Sequence, residues 1–160
     1  PHRRRAHPLR LRIDVDGESR EVAILPGDAR APELPAAIQY DVAPLAAMAA
    51  GTRTVPLITL AYGRSGDKGD KANIGLIARQ PAYLPLILRW VTAERVAAYF
   101  AHYGPSRVER FDLPGFDAVN FLLHDTLGGG GVTSLRTDNL AKAFAQVLLT
   151  MPVPVPESFA

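Results

Sequence analysis

Residues 64–70 read RSGDKGD, and Asn73 follows closely. Gly66 and Gly69 permit positive φ, which lets successive backbone N–H groups turn inward to form an anion-binding nest. Arg64 and Lys68 add charge, and Ser65 adds a hydroxyl donor. Asp67 and Asp70, three positions apart, have several possible uses. They supply hard oxygen donors for a cation such as Mg²⁺, they orient Arg64 and Lys68 in a neutral network, or one of them acts as a base. Asp67, Lys68 and Asp70 are therefore the candidate catalytic group. Arg64, Ser65, Gly66, Gly69 and Asn73 are the candidate ligand contacts. The competing reading is a polar turn closed by Asx hydrogen bonds. A P-loop is excluded, because GRSGDKGD lacks the Gly-Lys-Ser/Thr order and a strand, not a helix, is expected to follow.

A second segment, GGGGVTSLRTD (128–138), places Gly128, Gly129, Gly130 and Gly131 between an expected strand and an expected helix. A helix start offers unpaired N–H groups suited to a phosphate or carboxylate, with Ser134 and Arg136 beside it. The alternative is a hinge in which Ser134, Thr137 or Asp138 caps the helix. Asn120 lies among Val119, Phe121 and Leu122, so its amide needs a hydrogen-bond partner, either a loop it pins or a ligand. His124, at a strand end, is a general base only in the company of groups the sequence does not supply, and a surface histidine is the simpler reading. The central expectation is that the two glycine-bearing segments meet in space. Their amides and cationic side chains would then face a common guest.

The elements that must position these residues follow from periodicity. LRLRIDVDGESREVAIL (9–25) alternates about Asp16-Gly17 and predicts a β-hairpin with positive φ at both turn residues, with Leu11, Ile13 and Val15 answered by Val22 and Ile24. PGDARAPELP (26–35) reads as a linker, and the Ala-rich 36–52 as helix or linker interrupted at Pro44. VPLITLAY (55–62) has the continuous apolar character of a central strand, with Pro56 at its start. A second strand is expected at 72–79. Helices are expected near 81–90 and at 92–104, the latter capped by Thr92 and closed by Gly104, with Val96, Ala97, Phe100 and Tyr103 on one face. Strands follow at 106–115 and 116–127. The strongest helix is expected at 134–151, with Leu140, Phe144, Val147, Leu148 and Met151 forming one stripe. PVPVPESFA (152–160) is an extended tail. This order predicts an α+β fold, a mainly antiparallel sheet with helices on one face, preceded by the hairpin and linker. The domain boundaries are 1–54, 55–151 and 152–160.

The charge is uneven. Five of the 18 Lys and Arg, and none of the 16 Asp and Glu, fall within residues 1–12. No basic stripe continues beyond that arm and no aromatics interleave with its arginines, so a nucleic-acid partner is not expected. No Cys is present, which excludes disulfides and thiolate chemistry from these residues. No apolar run reaches the roughly 18 residues of a membrane helix, so no membrane association is expected. A start at Pro1 is expected either of a piece of a longer chain or of a chain whose disordered first residues are missing.

Two stretches carry a resemblance. LAYGRSGDKGDKANIGLIAR, followed by NFLLHDTLGGGGVTSLRTDNLAKAFAQVLL, resembles the C-terminal ferredoxin-fold-like domain of the acyclic terpene utilisation (AtuA) family, over about residues 55–151. The resemblance implies a ferredoxin-like sandwich in name of shape only, since an iron–sulfur cluster on thiolates needs Cys. It implies a cytoplasmic protein of bacterial acyclic terpene and isoprenoid catabolism through CoA thioesters. Its motif positions here are Arg64–Asp70, Asn73, Asn120, Gly128–Gly131, Ser134, Arg136 and Asp138. Two functions remain open. One is an assembly or accessory module packed on the AtuA N-terminal domain or chain and on further copies, with a site for a carboxylate or CoA. The other is a catalytic domain acting on an acyl-CoA or terpenoid acid through the Arg64–Asp70 loop. No cofactor and no resident metal are expected.

Overall fold

The structure, a computed structural model, describes residues 11–23 and 46–159. The chain divides into two compact units, residues 1–34 and 35–160.

In the first unit, β1 (Leu11–Val15) and β2 (Glu18–Val22) form the expected antiparallel hairpin. Asp16 and Gly17 take φ of 51° and 83°, the positive pair of a type I′ turn. Val22 answers Leu11, but Ile13 and Val15 lie opposite Arg20 and Glu18. Ile24, the expected linker at 26–35 and Pro44 lie outside the described residues.

The second unit is built on a four-stranded antiparallel sheet. Its strands are β4 (Ala61–Lys68), β5 (Lys71–Ala78), β6 (Val108–Leu113) and β7 (Ala118–Leu123), in the order β4-β5-β7-β6. Beside it, β3 (Thr52–Pro56) pairs antiparallel with β8 (Pro152–Pro156). Among the described residues, three short α-helices, α1 (Leu84–Trp90), α2 (Ala93–Tyr99) and α3 (Phe144–Leu149), complete the α+β arrangement. The inward residues of β5 and β7 alternate as a two-residue period requires: Ala72, Ile74 and Leu76, then Val119, Phe121 and Leu123, are all buried. Phe100 and Phe144 close over them, stacked at 5.3 Å. Each such side chain, fully buried, contributes about 1.5–3 kcal/mol. The helices cover this face. No helix among the described residues is long and apolar enough to cross a membrane.

Several expected boundaries move. The apolar run 55–62 is not one strand. It ends β3 at Pro56, makes a 3-10 turn at Leu57–Thr59 and enters β4. The run is apolar because Leu57, Leu60 and Ala61 are all fully buried, whatever their backbone does. Pro56, lacking an N–H, ends a strand rather than opening one. Residues 64–68, expected as a loop, continue β4. Arg64, Gly66 and Lys68 face the open side of this edge strand, and Ser65 and Asp67 on its other side are only half-buried. The helix expected over 134–151 is confined to Phe144–Leu149. The Asp138 carboxylate accepts from the N–H groups of Lys142 and Ala143, each at 2.7 Å, and Ala141 takes a φ of 53°, which a helix does not tolerate. Thr92 caps α2 as expected, accepting from Arg95 N at 3.3 Å, and Gly104 ends the following turn with φ 65°. The Ala-rich segment shows a single 3-10 turn, Ala47–Ala50, within its described part.

Candidate functional site

The β4–β5 hairpin turns on two residues, Gly69 and Asp70, with Lys68 opposite Lys71. Gly69 has φ 66° and Asp70 a negative φ, the pattern of a type II′ turn. This turn is held by the loop after β7. The N–H groups of Thr126 and Leu127 donate to the Asp70 carbonyl at 3.1 and 3.3 Å. Those of Leu127 and Gly129 donate to Asp70 Oδ1 at 3.1 and 2.8 Å. Gly128–Gly131 all take positive φ, between 51° and 94°. Gly130 lies so close that a Cβ there would sit 2.1 Å from the Gly69 carbonyl oxygen.

The two glycine-bearing segments therefore meet, and the Leu127 and Gly129 amides of the second face an anion. That anion is the chain's own Asp70 carboxylate. Hydrogen bonds to a charged acceptor are worth about 1.5–3 kcal/mol each, so the contact is a strong internal clasp. Thr126, fully buried, extends it by accepting from Ala72 N at 3.3 Å and donating to the Leu123 carbonyl at 3.2 Å. Thr126 was not singled out from the sequence. A threonine at a strand end carries no distinguishing local signal.

The remaining expected residues separate by face. Ser65 and Asp67 alternate onto the helix-covered side. Ser65 Oγ accepts from Ala145 N at 2.8 Å and ties β4 to the start of α3. Ser134 Oγ accepts from Arg136 N at 3.2 Å. Arg136 donates to the Tyr103 carbonyl at 3.4 Å, and its guanidinium lies 5.5 Å from the Tyr103 ring centre. Val132 and Leu135 stand fully exposed on the same loop.

Arg64, Gly66, Lys68, Asn73 and Asn120 lie on the other, open face of the sheet. Asn73 and Asn120 pair reciprocally, Nδ2 to Oδ1, at 3.0 and 2.9 Å, and bolt β5 to β7. Beside them is a hollow of about 380 Å³ whose lining includes Arg64, Lys68, Gly66, Gly75 and Lys142. Lys142 reaches it around the edge of β4, its Nζ 3.3 Å from where a Gly66 Cβ would stand. No carboxylate lines the hollow. Among the described residues, none of these three cations has an ion-pair partner. Lys142 was not anticipated. The helix expected through it gave no reason to place it at a strand edge.

At the polar end of the open face, His124 Nε2 lies 2.6 Å from Glu109 Oε2 and Arg107 Nη2 lies 2.9 Å from the same oxygen. The hydrogen bond from His124, helped by the charge of Arg107, holds Glu109 below the usual carboxylate range. No cluster of His, Cys, Asp and Glu among the described residues could hold a metal ion.

A four-stranded antiparallel sheet with helices on one face defines this as an α+β domain of ferredoxin-like shape. The chain belongs to the AtuA ferredoxin-like domain family, whose model matches residues 55–154, more than half of its length. No curated protein and no solved structure matches it.

Proposed function

We propose that this domain is the C-terminal accessory and assembly module of an AtuA-like protein of bacterial acyclic terpene and isoprenoid catabolism in the cytoplasm. It packs on the AtuA N-terminal domain or chain and on further copies of itself. It holds an organic acid or acyl-CoA by the anionic group. The observation that carries this reading is the hollow on the open sheet face, where Arg64, Lys68 and Lys142 converge without a carboxylate in the lining. Such a site attracts an anion by charge and by directional donors.

An accessory role is favoured over catalysis on the same loop by the commitment of its polar groups. Asp70 is engaged by two loop amides and Ser65 by the start of α3. The exposed Val132 and Leu135 support assembly through the glycine-rich loop.

Calorimetric titration with CoA and with free terpenoid acids tests the anion site. Heat is expected from the wild type and not from Arg64→Ala/Lys142→Ala. Absence of heat together with an unchanged melting temperature would refute the site. Light scattering of the wild type and of Val132→Asp/Leu135→Asp tests assembly, and a wild type that stays monomeric at high concentration would refute self-association.

A further inference from the structure

A second groove of about 280 Å³ lies beside the cation-lined hollow on the same sheet face. Its walls are Tyr62, Ile77, Leu113 and Phe116, all exposed. Arg64 and Gly75 line both cavities, so the two adjoin. Sheet pairing explains the polarity. Gly66, Asn73 and Leu122 form one cross-strand row, Arg64, Gly75 and Asn120 the next, and Tyr62, Ile77 and Ala118 the third. From the second row to the third the face passes from the Arg64 charge and the Asn120 amide to the carbon of Tyr62, Ile77 and Ala118.

Gly75 is the saddle between the cavities. Its φ is not positive, and a Cβ there would meet nothing closer than 3.9 Å. Neither backbone conformation nor packing requires glycine at this point. Glycine inside a strand weakens it relative to alanine and often marks a bulge, a bend or close approach by a ligand or another backbone; the register is unbroken on both sides of Gly75, which leaves close approach as the reading. Gly130 differs, because its neighbours demand it.

We infer that this face binds a single-chain amphipathic anion. A carboxylate or phosphate head sits among Arg64, Lys68 and Lys142. An aliphatic tail crosses Gly75 and lies between Tyr62, Ile77, Leu113 and Phe116. The inference rests on the proposed anion site and adds the chemistry of what is attached to the anion. A bare anion leaves the carbon groove unfilled, and a neutral alkane leaves the three cations without a counter-charge. The apolar burial of the tail strengthens binding in proportion to its length.

Calorimetric titration of the full chain with acetate, hexanoate, octanoate, octyl phosphate, inorganic phosphate and octanol tests this. Affinity is expected to rise roughly two- to fourfold per methylene from acetate to octanoate. The tighter of octanoate and octyl phosphate identifies the head. Gly75→Val should abolish the gain with chain length. Phe116→Ala, at an exposed position that does not endanger folding, should reduce the gain. Lys142→Ala, which lines the hollow and not the tail groove, should weaken all chain lengths alike. Equal affinity for acetate and octanoate would overturn the tail groove while leaving the anion site intact. Octanol binding as tightly as octanoate would overturn the role of the head. No heat from any anion would overturn both this inference and the proposed site. A ligand-free dimer that Ile77→Asp dissociates would also overturn it, because a second copy would then own the groove.

Discussion

Two hairpins in this chain turn on the same two residue types in opposite order. Asp16-Gly17 closes β1–β2 with nothing packed on Gly17. Every strand residue of that hairpin is exposed. Gly69-Asp70 closes β4–β5, where the 126–131 loop clasps the turn through the Asp70 carbonyl and carboxylate. The first turn is a local object, and its conformation follows from an Asp-Gly pair that tolerates positive φ. The second is a tertiary object, whose aspartate serves a loop more than fifty residues away. Turn chemistry decides that a chain reverses, whereas the loop contacts decide what the reversal is for.

Four measurements break or sharpen that contrast. Gly130→Ala should have the largest effect. Its Cβ would fall 2.1 Å from the Gly69 oxygen at a φ of 71°, so strain and steric overlap together should cost about 3 kcal/mol or more in urea denaturation. Next, Asp70→Ala should cost about 1–3 kcal/mol by removing the acceptor of the Gly129 amide and one of the two acceptors of the Leu127 amide, which keeps the Asp70 carbonyl. Asp70→Asn, which keeps an acceptor oxygen, should recover part of that loss. An equal loss in both variants would assign the effect to the charge rather than to the hydrogen bonds. Third, Gly17→Ala should cost about 1 kcal/mol of left-handed strain, confined to the first hairpin. Hydrogen exchange should quicken at β1–β2 while the main unfolding midpoint stays in place. The smallest effect concerns Glu109. Its carboxyl is held below the ordinary 4.5, so its stabilising contribution is present above that value and is lost as pH falls through the depressed one. Melting temperature should fall less steeply on acidification in Glu109→Gln than in the wild type.

Much of the architecture could be read from local pattern. The Asp16-Gly17 turn, the Thr92 cap and the Gly104 stop follow from backbone preferences of a few adjacent residues. The alternation of Ala72, Ile74 and Leu76 reflects a sheet with one covered face. The errors share a cause. The 134–151 helix was expected from an apolar stripe, but Asp138 captures the amides of Lys142 and Ala143 before the helix can form. The 64–70 stretch reads as a loop because one side of this edge strand is open and the other is only half-buried at Ser65 and Asp67.

The amino-acid order by itself determined where the chain turns, which residues enter the core, and which family the domain belongs to. Those properties depend on near neighbours and on burial, and both leave a periodic trace along the chain. Only the tertiary structure decided that Asp70 fills the nest its own glycines help to build. It also brought Lys142 around the edge of β4 to join Arg64 and Lys68. Hydrogen bonds and charge act over a few ångströms in space, and residues that far apart in sequence come within that range only after the sheet and its loops have closed.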